Sequence, residues 1–165
     1  MVLREWSGKN SNLTVDQKEL YVGYKSVIAS MGENQGIVLL QIHNTAIKSY
    51  DFIEYMHLLR RKMGSLPIAL FMDQLQVHKS RDVREYFEEL DIKPVFNVGY
   101  SPELNPIEAV FSKVKACFNS KRLHNLVNKI GFNADREIKI AFKTITKEHC
   151  GACVRKSRYL LEKAC

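Results

Sequence analysis

The sequence contains no long apolar run, and this absence excludes a membrane-spanning protein. No hydrophobic segment approaches the ~18 residues that a transmembrane helix needs. The first ten residues are mostly polar or charged and lack the apolar centre of a secretory signal. We therefore expect an intracellular protein without a membrane partner, nuclear if its source is eukaryotic and cytoplasmic if it is bacterial.

Cysteine is also sparse, since the chain has only 4, at irregular spacing. Such spacing does not give a disulfide framework, so we expect reduced thiols. Cys150 and Cys153 form a Cys-x-x-Cys pair, which supplies half of a zinc site. The sequence has no second pair, and no thioredoxin-like pattern precedes this one. Zinc binding, redox activity and ordinary helical packing are the three interpretations, and the last is the default.

The composition is sufficient for one domain with a hydrophobic core, because the 165 residues are 45% hydrophobic. The net charge of +7 is unevenly distributed. Residues 109–165 contain 13 Lys and Arg against 4 Asp and Glu, whereas residues 1–108 contain 12 against 14. A basic C-terminal third beside an acidic core suits a polyanionic partner. A solvated basic helix surface explains the same charge equally well.

Apolar periodicity predicts an order of elements that is typical of an α/β protein. A turn rich in Gly and Asn joins two strands, and a helix with apolar residues at helical spacing follows. Five successive apolar residues, Ile68–Met72, then predict a strand that is buried on both faces. Ser80 can cap the next helix. The predicted strands cover residues 24–31, 37–43, 68–72 and 94–98, and the predicted helices cover residues 51–63, 81–90, a segment that begins at 106, 134–149 and 152–163.

Two carboxylates lie at element ends, where functional side chains are commonly found in α/β proteins. Asp73 ends the Ile68–Met72 strand, and α/β proteins bind their ligands at the carboxyl ends of their strands. Glu108 follows Pro106 in the first turn of a helix. Thirty-four residues separate the two carboxylates. Each also has a plainer interpretation, Asp73 as a turn residue and Glu108 as an acid favoured at a helix start.

These residues resemble the catalytic core of the mariner-type transposases and their bacterial insertion-sequence relatives, the DDE endonucleases. In that family the second catalytic Asp ends a strand within a D-N-x-x-x-H pattern. The catalytic Glu follows at the same separation, inside S-P-D/E-L-N-P-I-E. The chain has Asp73, Gln74 in place of the usual Asn, His78, and the second motif complete at residues 101–108. The resemblance extends roughly from residue 6 to residue 118.

The resemblance implies an α/β, ribonuclease-H-like fold with a mixed sheet flanked by helices and extra C-terminal helices. It implies that Asp73 and Glu108 are catalytic and ligate Mg²⁺ or Mn²⁺ for DNA cleavage and strand transfer. Three roles are open for His78: a place near the metal, a contact to DNA phosphate, or a structural hydrogen bond. The candidate DNA contacts, for each of which a solvated surface role is the alternative, are His78, Lys79, Arg81, Lys113, Lys115, Lys121 and Arg122.

The family's first strand, which carries its first catalytic Asp in the middle of the sheet, has no counterpart in the sequence. By resemblance it should end upstream of Trp6, and neither Asp16 nor Asp51 is a convincing substitute. We expect a single partial catalytic domain over residues 1–165, with residues 119–165 as a basic helical extension of the same unit. Its ancestral transposase activity should be impaired, because two carboxylates hold one ion weakly. A non-catalytic module that binds nucleic acid or protein is the alternative.

A missing central strand leaves two strand edges open, which is costly inside a protein. Four arrangements are possible. Part of the gap is filled either by residues 1–5 or by residues 13–24; alternatively, the sheet is split, or a second chain supplies the strand. The expected partners are therefore DNA and, in the last arrangement, another copy of the chain or a strand-donating protein.

Overall fold

The computed structural model describes residues 23–74, 78, 80–99 and 101–164. A hairpin comes first, followed by helix, strand, helix, strand and three further helices. This order agrees with the order that the sequence predicts. The two segments that were proposed to replace the first strand, residues 1–5 and 13–24, lie outside the described residues apart from the last two. None of the helices in the described part of the chain is both long and apolar enough to cross a membrane.

The hairpin consists of β1 (Ser26–Gly32) and β2 (Gly36–His43), which pair antiparallel. The register shifts between Ser30 and Met31, which marks a bulge. Gly36 has a φ of 75°, a left-handed conformation that favours glycine and closes the turn. The sequence placed this hairpin correctly and missed the start of β1 by two residues.

Helix α1 (Ser49–Met63) joins the hairpin to the second pair of strands. Its start is capped by Asp51, whose Oδ2 accepts a hydrogen bond from the Lys48 N–H at 2.8 Å. This confirms the prediction that Asp51 is a helix-start residue. The helix buries one apolar stripe, formed by Phe52, Tyr55, Met56 and Leu59.

Strands β3 (Ile68–Met72) and β4 (Ile92–Phe96) pair parallel, and helix α2 (Arg81–Glu89) is the crossover between them. The Ser80 hydroxyl accepts a hydrogen bond from the Val83 N–H at 3.4 Å, as predicted for a capping residue. The bounds of β3 agree with the prediction.

Two expectations about these strands are wrong. First, β4 begins at Ile92 and not at residue 94. Pro94 lies inside the strand opposite Leu70, which is tolerated because β4 pairs with β3 alone among the described residues. Second, β3 is not buried on both faces: Met72 is buried but Ala69 is exposed. The reason is that no described strand covers the second edge of β3.

The described strands thus form two separate two-stranded sheets, β1–β2 and β3–β4. No described strand joins the two sheets, and the segments proposed to fill the gap lie almost entirely outside the described residues. Both outer edges of each sheet are therefore unpaired within the described part of the chain.

Three helices complete the chain: α3 (Pro106–Val127), α4 (Ala134–Lys143) and α5 (Lys147–Ala164). The prediction of a continuous helix over residues 134–149 is wrong, since the chain breaks between α4 and α5. The Thr144 hydroxyl donates to the Ala141 carbonyl at 2.7 Å, and the Thr146 hydroxyl accepts from the His149 N–H at 3.2 Å. Side chains that bond to nearby backbone in this way favour helix ends over helix interiors.

Two hydrophobic clusters hold these elements. The first, which we call the hairpin core, packs helices α3, α4 and α5 against the apolar face of β1 and β2. The second, the crossover core, packs α1 and α2 against β3 and β4. The buried residues of the hairpin core are Val110, Val114, Phe118, Ile138, Ala141, Phe142, Ile145 and Cys150, and those of the crossover core are Phe52, Met56, Met72, Val83, Phe87 and Ile92.

Candidate active site

A groove of about 550 Å³ lies between β1 and β3. One wall is formed by residues 27–32 of β1 and the other by residues 69–72 of β3. Asp73, Glu108 and His78 all line it. The fold therefore brings the two predicted carboxylates and the predicted histidine to one cavity.

Asp73 directly follows Met72, the last and buried residue of β3. Its side chain is 44% exposed, and its buried Oδ1 atom lies 3.0 Å from the Nδ1 of His78. A carboxylate oxygen in a groove that a second carboxylate also lines is suited to a hard cation such as Mg²⁺.

Glu108 stands in the first turn of α3, which Pro106 opens. The preceding 3₁₀ turn (Pro102–Leu104) ends at Asn105, and the Glu108 N–H donates to the Asn105 carbonyl at 3.1 Å. Glu108 is exposed. Its position is set by the hairpin core through Val110, whereas the position of Asp73 is set by the crossover core through Met72.

Asn97 connects the two halves of the site and is a residue that the sequence did not reveal. It follows β4 and is only 4% exposed. Its N–H donates to the Met72 carbonyl at 2.8 Å, and its Nδ2 donates to the Ser101 carbonyl at 2.7 Å. The end of β3 is thereby tied to the segment that leads into α3. The feature that could have identified Asn97 is its position directly after a strand, at the same sheet edge as Asp73.

Gln74, the departure from the family pattern, takes part in the same connection. Its Nε2 donates to the Asn97 carbonyl at 2.8 Å. The longer amide therefore reaches across the carboxyl edge of the β3–β4 sheet and contributes one further bond between the two strand ends.

The predicted DNA-contacting residues are dispersed. Arg81, whose side chain is 91% exposed, pairs with Glu85 at 3.2 Å, and the Lys113 Nζ lies 2.7 Å from the His149 Nε2. Lys115 and Arg122 follow Glu108 by 7 and 14 residues on α3. They therefore lie on the same side of that helix, about 10 and 21 Å further along its axis. Lys121 points away from this side, and Lys79 lies outside the described residues.

The cysteine pair does not form a metal centre with other described residues. No group of three or more His, Cys, Asp or Glu side chains in the described ranges is arranged to hold a metal ion. Cys150 is fully buried, and burial together with the neighbouring Cys153 raises the pKa of its thiol. Since Cys150 belongs to the hairpin core, its packing role accounts for its position.

Comparison with known proteins is consistent with this geometry. A family described as DDE superfamily endonuclease matches residues 4–130. No curated protein sequence matches the chain. The solved catalytic domain of Mos1 mariner transposase is similar, with a TM-score of 0.58 and 14% identity over 79% of this chain and 67% of that chain. The same domain solved with Raltegravir and Mg gives equal scores, covering 79% and 68%.

A pre-cleavage Mos1 transpososome is also similar, with a TM-score of 0.64 and 12% identity. This comparison covers 98% of the chain but only 47% of the solved chain. At such low sequence identity, the structural similarity informs the fold alone. It confirms the predicted α/β, ribonuclease-H-like architecture. Because the family match extends over most of the sequence, the chain belongs to the DDE superfamily endonucleases.

Proposed function

We propose that the chain is the catalytic-domain fragment of a DNA transposase, whose ancestral reaction is divalent-metal-dependent DNA cleavage and strand transfer. Family membership and the likeness to a transposase catalytic domain support this proposal. The observation that carries it is the groove, where the carboxylates of Asp73 and Glu108 line one cavity.

Asp73 and Glu108 are the proposed ligands of Mg²⁺ or Mn²⁺, since both supply the carboxylate oxygens that these ions prefer. When bound, such an ion stabilises charge on the phosphodiester oxygens. The chain's own part is to hold the two carboxylates at one end of the groove. Asp73 does so from a strand end that Asn97 fixes, and Glu108 does so from the first turn of a helix.

We infer that this activity is weak in the chain alone. Two metal ions would require more acidic ligands than these two, and no third acidic ligand stands with Asp73 and Glu108 among the described residues. The two carboxylates would hold one ion, with water completing its coordination.

DNA is the proposed substrate and partner, and the printed description of one solved relative as a transpososome supports it. Lys115 and Arg122 extend from Glu108 along one side of α3, so a DNA backbone that follows this side meets positive charge on leaving the site.

The test is Mn²⁺ binding by calorimetry, followed by nicking of plain duplex DNA. Asp73→Asn and Glu108→Gln keep the size of each side chain and remove its charge, so each should weaken Mn²⁺ binding by on the order of tenfold or more. Glu103→Gln is the matched control, because Glu103 is exposed in the neighbouring 3₁₀ turn. If the Glu103→Gln variant loses as much affinity as Glu108→Gln, then Glu108 has no specific role.

A second candidate function is favoured by one specific observation: the groove is lined by β1 and β3, and neither has a second strand partner among the described residues. Under this proposal the chain is a non-catalytic binding module that accepts an extended polypeptide strand between β1 and β3. Unpaired strand edges form hydrogen bonds with added strands in many complexes. The donor is either another copy of the chain or a different protein.

The walls of the groove define what such a strand must look like. Phe52 and Tyr55 from α1 line it together with Phe111 from α3 and Leu161 from α5. An inserted strand would therefore meet apolar side chains from helices of both hydrophobic cores, and apolar residues at successive positions suit it best. Its length should be about five to seven residues, because β3 has 5 residues and β1 has 7.

Binding of a synthetic peptide with six apolar residues and flanking lysines tests this candidate. The matched control is the same peptide with two prolines in its centre, which removes backbone donors but keeps the apolar character. We expect saturable binding of the first peptide only. Equal binding of both peptides would indicate nonspecific hydrophobic contact, and sedimentation of the chain alone would reveal a second copy as the donor.

A further inference from the structure

His78 lies against Asp73 in a defined geometry, although four residues separate them in the sequence. Its Nδ1 atom is 3.0 Å from the Asp73 Oδ1 and 3.2 Å from the Asp73 backbone carbonyl oxygen. Both neighbours are hydrogen-bond acceptors, so Nδ1 carries a hydrogen. That hydrogen lies between the backbone carbonyl and the carboxylate of Asp73, so His78 contacts this residue through both groups.

The imidazole ring is itself held by the crossover core. Its centroid lies 4.5 Å from the ring centroid of Phe52, with 39° between the planes. Phe52 is 4% exposed and packs with Phe87 and Met72 in that core. The side chain of His78 is only 15% exposed. Its ring orientation is thus fixed by aromatic packing, which leaves it little freedom to reach a phosphate.

We propose that His78 is a positioning residue, which holds Asp73 so that the Asp73 carboxylate faces the groove. The proposal rests on the proposed metal-binding role of Asp73. It distinguishes among the roles that the sequence left open, because a residue that acts through Asp73 changes metal affinity without touching DNA. Groups that orient a metal ligand commonly change metal affinity by about 10–100-fold when they are replaced.

Two substitutions at the same site separate the hydrogen bond from the packing. His78→Phe keeps an aromatic ring against Phe52 but removes the donor. His78→Asn keeps an N–H close to the position of Nδ1 but removes the ring. We expect Mn²⁺ affinity, measured by calorimetry on the full chain, to fall roughly 10-fold or more in His78→Phe. In His78→Asn it should recover to within about threefold of the wild-type value.

Duplex DNA binding in the presence of EDTA provides the second readout. Both variants should bind DNA as the wild type does, and urea unfolding should show that both are folded. Wild-type Mn²⁺ affinity in His78→Phe overturns the proposal, as does equal loss in the two variants. Reduced DNA affinity in EDTA with unchanged Mn²⁺ affinity overturns it in favour of a phosphate contact.

Failure of this inference can be told apart from failure of the proposed function. If Asp73→Asn abolishes Mn²⁺ binding while His78→Phe does not change it, the metal site stands and the positioning role is wrong. If the wild-type chain does not bind Mn²⁺, or Asp73→Asn leaves binding unchanged, both proposals are wrong.

Discussion

Asn97 offers the sharpest test of how the site is held together. Two short hydrogen bonds involve its buried side chain: Nδ2 donates to the Ser101 carbonyl at 2.7 Å, and Oδ1 accepts from the Val98 N–H at 2.8 Å. Asn97→Ala removes both bonds, each of which contributes about 1 kcal/mol. We expect a loss of about 2 kcal/mol in the free energy of unfolding.

Asn97→Asp has nearly the same shape and should be worse than the alanine variant. It keeps the acceptor for Val98 but places a second carboxylate oxygen against the Ser101 carbonyl, where the wild type has a donor. Leaving a charge buried without a partner costs about 3–5 kcal/mol. The deficit should shrink as the pH falls, because a protonated carboxyl group can donate again.

Urea unfolding followed by far-UV circular dichroism measures both variants, with exposed Asn119→Ala on α3 as the control that should change stability by less than about 0.5 kcal/mol. The order of the free energies of unfolding of the two Asn97 variants tests the hydrogen bond to Ser101. An Asn97→Asp chain that is as stable as the wild type, or more stable than Asn97→Ala, would show that the amide does not donate to Ser101. The proposed link between β3 and α3 would then fail.

Three further predictions follow from buried polar groups. Ser157→Ala should cost about 1–2 kcal/mol in urea unfolding, because the buried Ser157 hydroxyl donates to the Leu104 carbonyl; no loss would show that this carbonyl finds another partner. Burial raises the pKa of the Tyr55 phenol above its unfolded value of about 10. The unfolded chain therefore loses this proton at a lower pH than the folded chain, so the stability of the fold declines as the pH rises above about 10. Tyr55→Phe should therefore flatten the alkaline decline in stability, and an unchanged slope would contradict the assignment. The raised pKa and full burial of Cys150 predict that its thiol reacts with Ellman's reagent more slowly than that of Cys153, which mass spectrometry of the partly labelled chain would show or refute.

Local patterns in the sequence were sufficient wherever a single segment determined the structure. Ile68–Met72 was placed correctly because an apolar run between Pro67 and Asp73 has few alternatives. The start of α3 at Pro106 followed from the preference of proline for the first helical turn. The motif spacing also placed Asp73 and Glu108 at one cavity.

Other features depend on contacts that local patterns do not contain. The start of β4 was misplaced because Pro94 reads as a strand boundary, whereas an edge strand accepts it. The exposure of Ala69 depends on which neighbour β3 has, and not on β3 itself. The link from Asn97 to Met72 spans twenty-four intervening residues, so no helical or strand periodicity could have indicated it.

The division of the molecule into two cores has a consequence for the site. Asp73 directly follows Met72 of the crossover core, and Glu108 lies two residues before Val110 of the hairpin core. Among the described residues, the connections between them include the Asn97 bonds and the hydrogen bond from the Tyr55 hydroxyl to the Leu39 carbonyl at 3.2 Å. Substitutions at these connections should therefore change metal affinity even though they touch neither carboxylate.

The groove lies between the same two cores, so a strand bound there would pair with both sheets at once. Such a strand would restrict the motion of Asp73 relative to Glu108 and favour metal binding. Since coupling between two binding sites is reciprocal, Mn²⁺ would then tighten peptide binding by the same factor. If both proposals hold, strand binding in the groove and metal binding at the carboxylates should therefore strengthen each other, and Mn²⁺ titrations with and without the peptide would measure this coupling.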